Sequence, residues 1–330
     1  MKNVIVTGGC GFIGSHLAEL LAIKGFNVFV IDNLFSGKKT NIKTAKNIRI
    51  IKEDILNIKK ILSKIKNKKI HAIFHLAAMA DIVPSIIDPI KYMNTNVMGT
   101  TKILEIARMK KVKKFIYIAS SSCYGIPKKY PTKESSEIKC EYPYALSKNL
   151  GEQITMHWNK IYNINCNSIR LFNVYGPRSR TSGAYGAVFG VFLAQILKKF
   201  PLTVVGDGKQ SRDFTYVTDV VEGIYKVFQN GRRGEIYNLG SGKAPSINKI
   251  ISLLNYKKRI RLPVRPGEPP KTLGSIKKIK KEIGWTPKID IKIGIEEMKK
   301  NIQYWKDAPL WTKSKIKSAT KDWFKYLKNE

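Results

Sequence analysis

Residues 8–14 read Gly-Gly-Cys-Gly-Phe-Ile-Gly, which places glycines at 8, 11 and 14. The strand-like run Val4–Thr7 comes directly before them, and the amphipathic run Ile13–Lys24 directly after. This order forces a strand, a tight turn and a helix into one unit. Gly8 permits the turn, Gly11 lets backbone N–H groups approach a pyrophosphate, and Gly14 lets the helix pack against the sheet. The N-terminus of the helix then faces the phosphates, where its dipole favours negative charge.

The same rhythm continues along the chain. Strands are predicted at Asn27–Ile31, Ile48–Lys52, Ala72–Leu76, Lys114–Ala119 and Cys166–Leu171. Helices are predicted near Ile58–Ile65, from Thr95 to Met109 and from Tyr144 to Tyr162. Alternating strands and helices imply an α/β fold, a doubly wound parallel Rossmann sheet covered on both faces. After Gly176 prolines and glycines become frequent, at Pro177, Pro201, Pro245, Pro263, Pro266, Pro269, Pro270 and Pro287. Residues 1–176 are therefore read as the dinucleotide domain, with a strand and a helix added from 210–240. Residues 177–330 are read mainly as a smaller, interleaved substrate lobe ending in a C-terminal helix. That end, Asp307 to Glu330, carries Trp311, Trp323, Phe324 and Tyr326 and reads as one short amphipathic helix packed on the body.

Bulk properties exclude several classes. The longest apolar stretch, Gly186–Leu197, is too short to span a bilayer. The run from Met1 to Thr7 has no signal-peptide pattern, so a cytoplasmic protein is expected. Cys10, Cys123, Cys140 and Cys166 show no paired spacing, which predicts reduced thiols and no metal site. Cys10, in the glycine loop, is read as a small residue tolerated there, with exposure to oxidation as the alternative. The net charge is +36, but the lysines are dispersed and no basic stripe is interleaved with aromatics. A solvated surface accounts for that charge better than nucleic-acid binding does.

Asp32 ends the second strand, where an acidic residue bonds ribose hydroxyls and repels a 2′-phosphate. NAD is therefore expected as cofactor. Asp54 follows another strand and is read as an adenine contact or a helix N-cap. Tyr144 and Lys148 lie four apart on a predicted helix, hence on one face, and Pro143 suits its first turn. An ammonium beside a phenol is expected to lower the phenol's pKa, making Tyr144 a general base. Ser120, Ser121 and Ser122 follow a strand at the end where ligands bind. A hydrolase triad is unattractive, because there is no G-x-S-x-G and His16, His71, His75 and His157 all fall in predicted helices or strands.

At these residues the chain resembles the extended short-chain dehydrogenase/reductase family, specifically its nucleotide-sugar 4-epimerases. The matching segments are 7–14, 31–34, 75–78, 120–125, 144–148, 173–178, 206–208, 212–216 and 265–268. The resemblance implies that Gly8, Gly11, Phe12, Ile13 and Gly14 cradle the pyrophosphate. Asp32, Asn33, Ser36 and Gly37 would meet the adenosine ribose, with Asp54 and Ile55 flanking adenine. Leu76, Ala77 and Ala78 would line the cofactor, and Asn96 would lie behind it. Ser120, Tyr144 and Lys148 match the catalytic triad, with Lys148 also reaching the nicotinamide ribose. Asn173, Arg212, Arg265 and Glu268 match positions that hold a nucleoside diphosphate, and Ser122 joins the substrate side. Thr272 matches a gate beside the sugar, where a small residue admits an N-acetyl group, and Gly183–Gly186 looks like the N-acetyl-tolerant subgroup.

A nucleoside-diphosphate sugar is thus the implied substrate, UDP-glucose and UDP-N-acetylglucosamine being the family's prior. A homodimer is implied through a four-helix bundle built from residues 95–109 and 144–162. A 4,6-dehydratase would carry an Asp-Glu pair where this chain has Ser121 and Ser122. A decarboxylase and a non-catalytic NAD-binding regulator stay open as alternatives.

Overall fold

The computed structural model describes residues 1–179 and 188–327. Its N-terminal part alternates β1 (Asn3–Thr7), α1 (Phe12–Ile23), β2 (Asn27–Asp32), β3 (Ile48–Lys52), α2 (Ile58–Lys64) and β4 (Ile70–His75). Then come α3 (Ile82–Ile87), α4 (Pro89–Tyr92), a π-helical turn (Met93–Met98) and α5 (Gly99–Met109). β5 (Lys114–Ser120), α6 (Pro143–Ile161), β6 (Asn165–Leu171), β7 (Asn173–Tyr175) and α7 (Val188–Leu197) follow. The remainder holds β8 (Leu202–Val205), β9 (Phe214–Tyr216), α8 (Val217–Asn230), β10 (Ile236–Leu239), α9 (Ile247–Leu254) and β11 (Arg259–Leu262). It ends with α10 (Lys277–Ile283), α11 (Ile291–Lys300), α12 (Lys313–Ala319) and α13 (Lys321–Tyr326).

Seven strands pair in the order β10-β6-β5-β4-β1-β2-β3, every pair parallel. The order reverses beside β1, so the carboxyl ends of β1 and β4 open the crevice where such sheets bind ligands. Strands buried on both faces carry near-continuous apolar runs, as in Val4, Ile5 and Val6 of β1. One face of the sheet packs on α1, α8 and Trp285, and the other on α2, α5 and α6. A separate aromatic core, with Tyr175, Phe189, Phe192, Phe214 and Trp305, fills the region around α7, β8 and β9. There β7 pairs with β9 and β8 with β11.

Two expectations need correction. The helix expected from Thr95 begins earlier, because Asp88 accepts the Lys91 N–H (3.1 Å) and Pro89 occupies the first turn of α4. From there the chain stays helical, through the π turn, to Met109. The C-terminal segment forms two helices instead of one, because the chain breaks at Thr320, whose buried hydroxyl donates to the Ile316 carbonyl (2.8 Å).

Helix α6 sits unusually close to the sheet. A Cβ at Gly151 would collide with the Tyr117 hydroxyl of β5, which donates to the Lys148 carbonyl (3.0 Å). The helix is fixed there by a buried ion pair. The Arg170 guanidinium of β6 donates through Nε (3.0 Å) and NH2 (2.5 Å) to the Glu152 carboxylate, and both side chains are 5% exposed. Ser168 donates to the same carboxylate (2.7 Å), and Arg170 NH1 donates to the Tyr124 hydroxyl (2.8 Å). Removing one partner of a buried pair strands the other charge. Glu152→Ala should therefore lower unfolding free energy by about 3–5 kcal/mol, read from the urea midpoint at unchanged m-value.

Candidate active site

A cleft of about 1130 Å³ runs from the glycine loop across the carboxyl ends of the sheet to the second lobe. Gly8, Gly11, Phe12, Ile13 and Gly14 form one end. Gly8 has φ +67°, and a Cβ there would stand 2.7 Å from the Ala77 nitrogen. A Cβ at Gly14 would strike the Gly8 carbonyl oxygen. The loop backbone thus lies bare to the cleft, which is the cradle a dinucleotide pyrophosphate requires. Thr7 and His75 brace the loop from behind. Thr7 Oγ1 lies 2.7 Å from His75 Nδ1 and accepts from the Leu76 and Ala77 N–H groups (both 3.2 Å). Burial pushes His75 down to about 3, so it stays a neutral hydrogen-bonding bridge.

Asp32 is buried and already engaged. It accepts from the Cys10 N–H (2.9 Å) and the Leu34 N–H (2.8 Å), joining the glycine loop to the turn after β2. Burial raises its pKa, and these two backbone bonds oppose the rise. Asn33 donates to Asp54 (2.8 Å), whose other oxygen accepts from the Leu56 N–H (2.8 Å). Asn57, and not Asp54, stands at the N-cap of α2. Asn33, Ser36, Asp54, Ile55, Leu76, Ala77 and Ala78 all line the cleft. Gly37 does not; it packs against the Cys10 backbone, where a Cβ would come within 2.8 Å of the carbonyl carbon. Asn96 lies behind the wall, accepting from the Met79 N–H (2.7 Å) and donating to the Met79 carbonyl (2.9 Å). Cys10 fits the reading of a small residue tolerated under the loop, and the alternative of an exposed, oxidisable thiol does not hold. Its side chain is wholly buried in the core under the loop, and burial, with Asp32 beside it, pushes the thiol up to about 12.

At the centre of the cleft stand Ser120, Ser121, Ser122, Tyr144 and Lys148. Ser120 ends β5 with its hydroxyl beside Tyr144, whose pKa it lowers. Its oxygen also accepts from the Ser122 N–H (3.2 Å) and the Ser122 hydroxyl (2.8 Å), capping the short turn Ser121–Tyr124. Ordinary turn chemistry and a cleft-facing hydroxyl therefore coincide in one residue.

The electrostatics differ from the expectation that Lys148 lowers the Tyr144 pKa. Burial raises Tyr144, the Ser120 hydrogen bond pulls it back, and the Asp81 carboxylate raises it further. Lys148 is not among the groups that move it. The lysine ammonium lies over the Tyr117 ring at 4.3 Å, and burial lowers its own pKa to about 7, with Glu152 partly opposing.

The far end is cationic. Arg212 NH2 donates to Glu268 Oε1 (2.8 Å), and Arg265 NH1 stands 3.4 Å from Glu268 Oε2. One carboxylate thus spaces two guanidinium groups along the wall. Thr272 donates to Asn173 Oδ1 (3.1 Å) and accepts from the Asp213 N–H (3.2 Å). Gly183–Gly186, read as a specificity segment, lies outside the described residues.

Three residues escaped the sequence reading. Asp213, fully buried, accepts from Ser241 N (2.5 Å), Ser241 Oγ (2.7 Å), Gly242 N (3.2 Å) and Gly274 N (2.9 Å), tying the turn after β10 to the segment around Gly274. Arg178 donates to Glu19 (3.0 and 3.1 Å) and Ser15 (3.2 Å), closing the loop after β7 onto α1. Trp323 reaches the cleft from the C-terminus. Asp213 and Arg178 stood inside the segments that carry the resemblance, whereas nothing in the sequence pointed Trp323 at the site.

A glycine cradle, a strand-end carboxylate and a helix-borne Tyr-Lys pair in one crevice define an NAD-dependent enzyme of the short-chain dehydrogenase/reductase class. Comparison with known proteins narrows this. The family model described as GDP-mannose 4,6 dehydratase matches residues 5–298, and the chain belongs to that family of nucleotide-sugar epimerases, dehydratases and decarboxylases. A putative UDP-glucose 4-epimerase of Methanocaldococcus jannaschii is 34% identical over 301 residues, covering 89% of this chain and 96% of its own. UDP-glucuronic acid decarboxylase 4 of Arabidopsis thaliana is 33% identical over 91% of this chain and 68% of its own. The crystal structure of the Thermus thermophilus UDP-glucose 4-epimerase in complex with NAD superposes with TM-score 0.84 at 29% identity, covering 93% of this chain and 100% of that one.

The cradle should not tolerate a methyl group. Gly14→Ala should weaken NAD binding at least about tenfold, as read by titration calorimetry on nucleotide-stripped protein. Unchanged affinity would remove Gly14 from the cofactor site.

Proposed function

We propose that the protein epimerises a nucleoside-diphosphate sugar at C4, with a UDP-hexose or UDP-N-acetylhexosamine as substrate. The carrying observation is the order of groups along one cleft: glycine cradle, then Ser120, Tyr144 and Lys148, then the Arg212–Glu268–Arg265 wall. A sugar whose diphosphate rests on that wall presents its ring to Tyr144. NAD held on the cradle of Gly8, Gly11 and Gly14 would supply a reversible hydride acceptor for the sugar C4. Tyr144 takes the proton of the 4-hydroxyl, and Ser120 bonds the same oxygen. Lys148, titrating near neutrality, supplies or withdraws a positive charge behind that oxygen at little cost. The keto sugar swings about its diphosphate while the wall keeps its grip, and the opposite face is then reduced.

Serines at 121 and 122 offer no carboxyl acid for expelling water, which disfavours a 4,6-dehydratase. The Arabidopsis relative keeps a decarboxylase as the second reading. Thr272, with its hydroxyl engaged by Asn173, leaves room for an N-acetyl group without demanding one.

We also propose a homodimer through α5 and α6 and a cytoplasmic location. Exposed Met98, Met109, Leu146 and Ile161 on or beside those helices support the pairing. Among the described residues no helix is long and apolar enough to cross a membrane.

Incubation with a panel of nucleotide sugars followed by NMR separates the readings, since epimers, loss of water and loss of carbon dioxide give different products. Tyr144→Phe should cut turnover by about 10²–10⁴-fold while NAD remains bound. Full activity in that variant would sink the mechanism. Leu146→Glu should halve the mass seen by light scattering, and a wild-type monomer would exclude the dimer.

A further inference from the structure

The segment Lys313–Tyr326 lies beyond residues 5–298, where the family model ends, yet it reaches the cleft. Helix α12 buries Ile316 against Val205 and Leu262, at the carboxyl ends of β8 and β11, with Trp311 beside them. After the break at Thr320, α13 lies on α3 and delivers Trp323, 3% exposed, to the cleft wall. The indole N–H donates to the Pro266 carbonyl (2.7 Å). Its ring stands 5.7 Å from the Arg265 guanidinium and 6.3 Å from the Tyr142 ring. Tyr142 in turn stacks on Tyr144, with centroids 6.5 Å apart and planes 6° from parallel.

We propose that the C-terminal helix pair is a clasp and that Trp323 is a positioning residue for the substrate diphosphate, acting through Arg265. The claim rests on the reading of Arg212 and Arg265 as diphosphate contacts given above. The loop that carries Arg265 needs such help. It holds Pro263, Pro266, Gly267, Pro269 and Pro270. Apart from β11 behind it, it has no regular structure of its own, and Val264 is 71% exposed. A guanidinium on a long stem loses rotamer freedom when it grips an anion, and fixing it beforehand removes that cost from binding. Trp323 does this twice: through its ring on the Arg265 charge, and through its N–H on the backbone next in the chain. The contact with Tyr142 ties the same indole to the residue two positions before Tyr144. The clasp therefore joins the anion-holding wall to the chain that leads into α6.

The test uses the full-length, NAD-loaded protein with UDP and uridine as probes, followed by calorimetry, together with steady-state kinetics on whichever sugar is turned over. Trp323→Leu should weaken UDP about tenfold and uridine less than about twofold, since only UDP carries the anion Arg265 holds. KM should rise while kcat stays within about twofold. Trp323→Phe keeps a ring over the charge but loses the bond to Pro266, so UDP should weaken by about threefold. Unchanged UDP affinity in both variants, or equal losses for UDP and uridine, overturns the clasp. If Trp323→Leu does not fold, the UDP-to-uridine ratio in Trp323→Phe decides in the same way. A wild-type protein that binds UDP with this dependence but converts no sugar would refute the epimerase reading and leave the clasp standing.

Discussion

The ion pair between Glu152 and Arg170 holds α6, the helix that carries Tyr144 and Lys148, to the sheet. Glu152 follows Lys148 by one helical turn, and Arg170 sits on β6, so the pair registers α6 against the strand beside it. Its remaining valences are filled locally, by Ser168 on the carboxylate and by the Tyr124 hydroxyl and Glu134 carbonyl on the guanidinium. A buried pair with its hydrogen bonds satisfied is costly to break and specific in geometry. Gly151 lets the helix come close enough for this, and the same closeness places Lys148 over Tyr117. The lysine's lowered proton affinity thus descends from how tightly a helix sits on a sheet.

A second buried carboxylate does comparable work between the lobes. Asp213 gathers N–H and O–H donors from the turn after β10 and from Gly274, while its own backbone N–H meets Thr272 and its carbonyl accepts from Asn173. Asn173, Arg212 and Thr272, the residues proposed to face the substrate, therefore share one anchor. That anchor is attached to the edge of the parallel sheet through β10. Cofactor side and substrate side are parts of one hydrogen-bonded frame.

Much of this was legible in the chain. The glycine spacing after an apolar strand, the carboxylate at the end of β2 and the four-residue interval from Tyr144 to Lys148 are local patterns, and local patterns survive folding. The parallel sheet followed from the alternation of periods. What could not be read depends on three-dimensional proximity. The proton affinity of Tyr144 is set by burial, by Ser120 and by Asp81, and that of Lys148 by burial with Glu152 opposing, and the extent of burial is not written in the local sequence. The glycines around Cys10 left its exposure open, and only the folded loop shows that its side chain lies in the core. The helix starts before Thr95 because Asp88 caps it and Pro89 fits its first turn, roles that show only once the backbone is placed. The role of Trp323 is a long-range packing event with no periodic signature.

The double engagement of Asp32 has a bearing on redesign. Its two oxygens already restrain the backbone at Cys10 and at Leu34, where φ is +62°. Exchanging it for a neutral residue, the obvious first move toward accepting a phosphorylated adenosine, would release both turns at once. Any retargeting toward the other nicotinamide coenzyme therefore has to rebuild the support of the phosphate loop in the same step, or it will lose grip on either form.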